Sequence, residues 1–192
     1  MSISINAPVE VSSAVRGAQV ASVFISAAAA GGTLGLSTFL VPRILDSPTG
    51  LMLRQWGRMY NAGKIVFPGA AATAAVAFGY VYYATNNASG LPTSLEVSAS
   101  NLPLVAAGLC LSIVPYTMLA LLPTNKQLLA KAQAAEEDAT LSKADRAAGA
   151  GTVYTTQEEQ AAKQLVDRWG VLSLGRPLLL GAASLVGLIA FL

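Results

Sequence analysis

Residues 65–84 read IVFPGAAATAAVAFGYVYYA and residues 102–122 read LPLVAAGLCLSIVPYTMLALL, and neither stretch holds a charged side chain. Between Lys64 and Lys126 the one charged residue is Glu96, and between Arg16 and Arg43 there is none. About 20 apolar residues at ~1.5 Å rise already cross the hydrocarbon of a bilayer. Runs of this length therefore read as membrane-crossing helices and not as buried core elements. Working outward, the same criterion marks residues 18–41 and 171–192. The expected fold is all-α: a transmembrane four-helix bundle forming a single membrane domain over residues 1–192, with spans at about 18–41, 65–84, 102–122 and 171–192. A cytosolic helical loop over residues 125–169 is expected between helices 3 and 4.

The composition agrees. Hydrophobic residues make up 54% of the chain and charged residues 11%, against roughly 25% charged in a soluble domain. The net charge of +2 sits in loop clusters that membrane topology explains, so no nucleic-acid partner is indicated. Cys110 stands alone in an apolar run, which rules out a disulfide framework. The first residues carry Glu10 and Arg16 without a basic cluster, so the amino-terminal run does not read as a cleaved signal peptide.

Lysine and arginine fix the expected orientation. The connection after the first span holds Arg43, Arg54, Arg58 and Lys64, and the one after the third holds Lys126, Lys131, Lys143, Arg146, Lys163 and Arg168. The connection from Thr85 to Asn101 holds none. The positive-inside bias then puts loops 1 and 3 in the cytosol and both termini on the lumenal or exterior face of an integral, multi-pass endomembrane protein. Asn87-Ala88-Ser89 is a glycosylation acceptor pattern on the lumenal side, or else part of a turn.

Small residues suggest close helix packing. Gly31 and Gly35 form a G-x-x-x-G pair preceded by Ala27 and Ala28, and Gly69, Ala72, Thr73 and Gly181 extend the theme. These are expected to serve packing within this chain, with a homo-oligomer or a membrane protein partner as the other use of the same faces. The chain also repeats weakly. Leu40-Val41-Pro42 and Leu121-Leu122-Pro123 close the first and third spans, and Trp56-Gly57 and Trp169-Gly170 precede the second and fourth. Two helices per unit would relate the halves about an axis along the membrane normal.

Within loop 3, Lys126 to Asp138 is expected to prolong the third helix, and Ser142 to Gly151 to form a flexible crossing. Thr155 or Thr156 followed three residues later by Glu158 or Glu159 fits a capping box opening another helix. Its apolar face is Ala162, Leu165, Val166 and Trp169, expected to lie on the membrane surface before the chain turns in at Gly170.

The chemistry available is narrow. With no histidine and one cysteine, the usual zinc, haem and two-histidine iron sites have no ligands. No carboxylate lies within a span, and no nucleotide-binding glycine motif occurs. An enzyme built from these residues works without a cofactor or metal. The remaining polar groups gather at the cytosolic helix ends: Arg54, Trp56, Arg58, Tyr60, Asn61 and Lys64; Tyr116, Thr124 and Asn125; Asp167, Trp169, Ser173 and Arg176. Arg176 falls one to two turns inside the last span, where a charge marks a functional site or snorkels to the interface. Trp56 and Trp169 read first as interfacial anchors.

The run Leu122-Pro123-Thr124-Asn125-Lys126-Gln127-Leu128-Leu129, then Val166-Asp167-Arg168-Trp169 with Arg176 soon after, resembles the fungal anthrone oxygenase family of small four-span membrane proteins. Arg54-Gln55-Trp56 with Tyr60 and Gly63 is similar to that family's first loop, and the likeness in span order covers nearly the whole chain. Ser173 departs from it, where an Asn is expected. The resemblance implies oxidation of an anthrone-type aromatic polyketide to an anthraquinone, with molecular oxygen as co-substrate. Such a methylene is acidic enough to form an enolate that reduces oxygen directly, so the protein need supply an apolar slot, a base, and donors for the developing oxyanion. From position and chemistry, Arg176, Arg54 and Asn125 are expected to hold charge, and Trp56, Trp169 and Tyr116 to contact the rings. Asp167, Tyr60 or a neutral Lys64 is expected to act as base. The alternative is a non-catalytic membrane scaffold; a transporter is disfavoured by the lack of a charged group at mid-bilayer.

Overall fold

The computed structural model describes residues 13–88, 101–141 and 153–192. The described residues are helical, without a strand, and form four rods long and apolar enough to cross a membrane. These are α1 (Ser13–Leu45), α2 (Thr49–Asn87), α3 (Leu102–Thr140) and α4 (Thr156–Phe191). They run up and down around a ring in which α1 packs on α2 and α4, and α3 packs on α2 and α4. The third residue of the glycosylation pattern, Ser89, and the crossing from 142 to 152 lie outside the described residues.

Each rod is longer than a bilayer requires. At ~1.5 Å per residue, rods of 33, 39, 39 and 36 residues extend about 50–60 Å, against ~30 Å of hydrocarbon. Apart from Arg16, the charged residues of the four rods lie at one end, with Arg43 of α1, Arg54 to Lys64 of α2, Lys126 onward of α3 and the first part of α4, and the excess length lies there. The bundle is therefore an apolar stem with a polar helical head. Residues 43–64, expected as an interhelical connection, are almost entirely helix: only Asp46, Ser47 and Pro48 separate α1 from α2.

Two cores follow from this division. The stem core is built of small residues, with Ala29, Ala71, Ala74, Ala106, Ala107 and Ala183 around Phe78, Ile113 and Leu180. In lipid, helices associate through such close contact. α1 turns a stripe of Ser22, Ser26, Ala29 and Thr33 inward. The hydroxyls of Ser26 and Thr33 donate to the carbonyls of Ser22 and Ala29 four residues back, at 2.7 and 2.8 Å, which leaves them no need of a partner helix. The G-x-x-x-G pair does not serve this packing: a Cβ on Gly31, Gly35 or Gly69 would meet nothing within 4 Å. Gly181 does face α1, against Ala30.

The head core contains the large side chains: Met52, Leu53, Trp56, Leu121, Leu128, Val166 and Trp169. Trp56 is 0% and Trp169 2% exposed, so neither anchors the protein at an interface. The helix that opens α4 starts with the capping box Thr155–Glu158. Its face of Ala162, Val166 and Trp169 is buried against the other three rods. It does not lie on a membrane surface, and it passes Gly170 without turning, interrupted only by one turn residue at Leu174. The reason is packing: Gly170 lies so close to Val41 of α1 that a Cβ there would come within 2.9 Å.

The weak internal repeat has a structural counterpart. α1 contains a π-helical turn over Leu36–Leu40 immediately before Val41-Pro42, and α3 one over Thr117–Leu121 immediately before Leu122-Pro123. Proline lacks an N–H and its ring crowds the carbonyl four residues back, and a π turn absorbs the misfit. The two Trp-Gly pairs also correspond. Gly57 brings α2 against Ala132 of α3, Gly170 brings α4 against Val41 of α1, and the two indoles meet edge to face at 5.6 Å.

Candidate active site

Where the head joins the stem, α2 and α3 leave a cleft of ≈ 190 Å³ between them. Each wall carries a helix irregularity in sequence or backbone there. α2 carries Pro68 in its interior, and α3 contains the π turn over Thr117–Leu121. The α2 wall is the stripe Met59, Tyr60, Gly63, Lys64, Phe67 and Pro68, spaced as one face of a helix. The α3 wall is Ile113, Val114, Thr117, Met118 and Asn125, and Leu36 of α1 closes one side. Trp169 and Arg176 of α4 provide the polar and aromatic floor.

Three of these residues form a connected unit. The indole N–H of Trp169 donates to Asn125 Oδ1 at 2.8 Å, with both side chains buried. An indole N–H can only donate, so it holds the Asn125 amide in one orientation and leaves the Nδ2 hydrogens as the amide's remaining hydrogen-bonding groups. The Arg176 guanidinium lies over the Trp169 ring, 5.4 Å from its centroid, a cation–π arrangement. Arg176 Nη2 donates to the buried Ser173 Oγ at 2.8 Å. Arg176 Nε is buried without a hydrogen-bond partner, and among the described residues no carboxylate pairs with this guanidinium. A buried unpaired donor costs about 1–3 kcal/mol, a cost that an acceptor on a bound molecule would remove.

On the opposite wall, Lys64 Nζ sits 5.8 Å from the Tyr60 ring centroid and donates to Asn61 Oδ1 at 2.8 Å. Tyr60 stacks on Trp56 at 5.1 Å with 14° between the rings. Trp56 therefore lies behind the cleft wall, with its own Nε1 buried and unpaired. Among the described residues, no group of three or more metal-ligating side chains occurs.

Of the residues singled out by sequence, the fold brings Tyr60, Lys64, Asn125, Trp169 and Arg176 around one cleft. Trp56 backs it, and Arg54, Asp167 and Tyr116 do not line it. Arg54 is half-buried in the head, its Nε 3.4 Å from the Gly50 carbonyl, and Asp167 is exposed to solvent. The Tyr116 hydroxyl donates to the Leu172 carbonyl at 2.6 Å, capping the break in α4, and Gly175 leaves space for its ring. Ser173, where the resemblance leads to the expectation of an Asn, is fully buried and accepts from Arg176. Met59, Phe67, Thr117 and Met118 were not anticipated. The α2 members become visible as a stripe at i, i+4, i+8 once Met59 to Phe67 is read as helix.

A model of the family described as anthrone oxygenase matches residues 56–186, which includes every residue lining the cleft except Leu36. An anthrone oxygenase of Claviceps purpurea is 30% identical over 169 residues, covering 86% of this chain and 80% of its own length. One of Aspergillus fumigatus is 32% identical over 158 residues, covering 79% and 80%. One of Pestalotiopsis fici is 29% identical over 147 residues, covering 76% and 89%. No solved structure matches the chain.

Proposed function

The chain belongs to the anthrone oxygenase family, and we propose that it is a membrane-bound, cofactor-independent oxygenase that converts an anthrone-type aromatic polyketide to its anthraquinone with molecular oxygen. The observation that carries this reading is the half-buried Arg176 guanidinium, whose Nε is itself buried and unpaired, on the floor of an apolar cleft beside Trp169 and Asn125.

A flat tricyclic substrate occupies the cleft with its rings against Trp169 and Tyr60. Its carbonyl oxygen accepts from Arg176 Nε and Asn125 Nδ2. These donors are worth most when that oxygen carries enolate charge, so they favour loss of a methylene proton over mere binding. The proton passes to a water at the cleft mouth, where Tyr60 and the exposed Lys64 lie. The enolate then gives one electron to dioxygen, and the resulting carbon radical and superoxide combine to a peroxide. Loss of the second methylene proton, with cleavage of the O–O bond, forms the new carbonyl and releases the other oxygen atom as water. Two C–H bonds are oxidised and one dioxygen is reduced, so the balance closes without a metal or an external reductant. The reading without a cofactor is further supported by a sequence that has no histidine.

Isotope-labelled dioxygen tests this. Purified protein given an anthrone should place one labelled atom in the quinone and the other in water, at a rate unchanged by prior dialysis against a chelator. Label drawn from solvent, or activity lost on chelation and restored by a metal, contradicts the proposal.

A further inference from the structure

The cleft opens sideways, and apart from Lys64 with its partner Asn61 the surface around the opening is apolar. Val114, Met118, Lys64 and Pro68 line the cleft and are also exposed on the outside of the bundle; Val114 is 52% and Met118 58% exposed. Residues that are both inner wall and outer surface mark where the two are continuous. α2 and α3 pack closely along Leu102–Leu111 and again along Leu122–Thr140, but scarcely between, where α3 makes its π turn.

The depth of this window decides what it faces. Neighbouring positions on the other rods, Phe39 of α1 and Leu178 of α4, are 76% and 73% exposed, and Leu119 beside the window is 82% exposed. Large apolar side chains turned outward on three helices belong in hydrocarbon and not in water.

We propose that the gap between Val114 and Met118 on α3 and Lys64 and Pro68 on α2 is a lateral portal, through which a planar polycyclic aromatic molecule passes between the bilayer and the cleft without crossing water. This rests on the reading that the cleft holds such a molecule. Met118 is the gate: an unbranched, exposed side chain that can swing aside at little cost.

The test uses the full chain in phospholipid vesicles and a reaction-inert anthraquinone as ligand, read by stopped-flow quenching of tryptophan fluorescence. Trp169 lines the cleft and Trp56 lies behind Tyr60, so both report on occupancy. Narrowing the window with the pair Val114→Phe and Met118→Phe should slow entry and exit together by about tenfold, because a doorway alters both directions alike. Met118→Ala should accelerate both. Leu185→Phe, exposed to lipid elsewhere on α4, should leave both rates as they are. Unchanged rates in the narrowed variant, a change in only one of the two rates, or no saturable quenching of the wild type would each overturn the portal. Oxygen uptake with an anthrone is measured separately. A portal that behaves as described in a protein without turnover would contradict the oxygenase reading and leave the portal standing.

Discussion

Trp169 of α4 donates its indole N–H to Asn125 Oδ1 of α3 across 2.8 Å in the buried head of the bundle. This bond ties α3 to α4 at the cleft floor and sets which end of the Asn125 amide can reach a substrate. Replacing Asn125 by Asp preserves an acceptor for the indole but removes the Nδ2 donor and adds negative charge where enolate charge would develop. Turnover of an anthrone should fall by about 10²–10³-fold, the usual loss of one oxyanion donor, while the protein stays folded by circular dichroism. Asn125→Leu should in addition lower stability by about 1–3 kcal/mol, because the Trp169 N–H is left buried and unpaired.

Arg176 and Ser173 should separate by role. Arg176→Lys keeps a positive charge but loses the planar donor set and its Nε, and should lower kcat by at least about tenfold. Ser173→Ala removes only the hydroxyl that orients the guanidinium. Its loss should be smaller, about threefold to tenfold from one hydrogen bond of about 1 kcal/mol, and Ser173→Thr should restore part of it. Steady-state oxygen uptake on the purified variants measures both.

Trp56 contributes to stability first. It is 0% exposed, stacks on Tyr60 and meets the edge of Trp169, so Trp56→Ala should cost about 3–5 kcal/mol. Trp56→Phe keeps the stack and should recover much of that. Thermal unfolding in detergent, followed by near-ultraviolet circular dichroism, separates the two.

The glycines should divide into two groups. A Cβ on Gly175 would overlap the Tyr116 ring, and one on Gly187 would overlap Phe78; alanine at either position should lower the melting temperature. Gly31→Ala and Gly35→Ala meet open space and should be neutral or stabilising, by up to about 1 kcal/mol from helix propensity. Melting curves of the four single variants settle this.

Four apolar rods were legible because hydrocarbon tolerates so few departures from a charge-free run of sufficient length. The head was not, because charge density reports the solvent around a segment and not its secondary structure. Arg43, Arg54, Arg58 and Lys64 suggested a connection, whereas Thr49 onward is the solvated start of α2. That one misreading hid Met59 and Phe67, which share a face with Tyr60 and Lys64. It also made Trp56 and Trp169 look like interfacial anchors, when a solvated helical head gives them a core to fill. Asn125, Trp169 and Arg176 were named from residue type and position. The value of Ser173 is geometric: it lies one turn before Arg176 and its Oγ accepts from Nη2. The repeat in the sequence was visible as Pro and Trp-Gly spacing, but its meaning, a π turn before each proline and two indoles in contact, depends on backbone geometry that residue identity alone does not reveal.

Oxygen consumption by the full chain in vesicles loaded with an anthrone, compared with protein-free vesicles and with the Arg176→Ala protein, is the most direct trial of the cleft as an oxidation site. The wild type should consume oxygen and form quinone in equal amounts, well above the protein-free rate, and Arg176→Ala should lose at least about tenfold of that gain. Equal consumption by wild type and Arg176→Ala, or by wild type and empty vesicles, would contradict it.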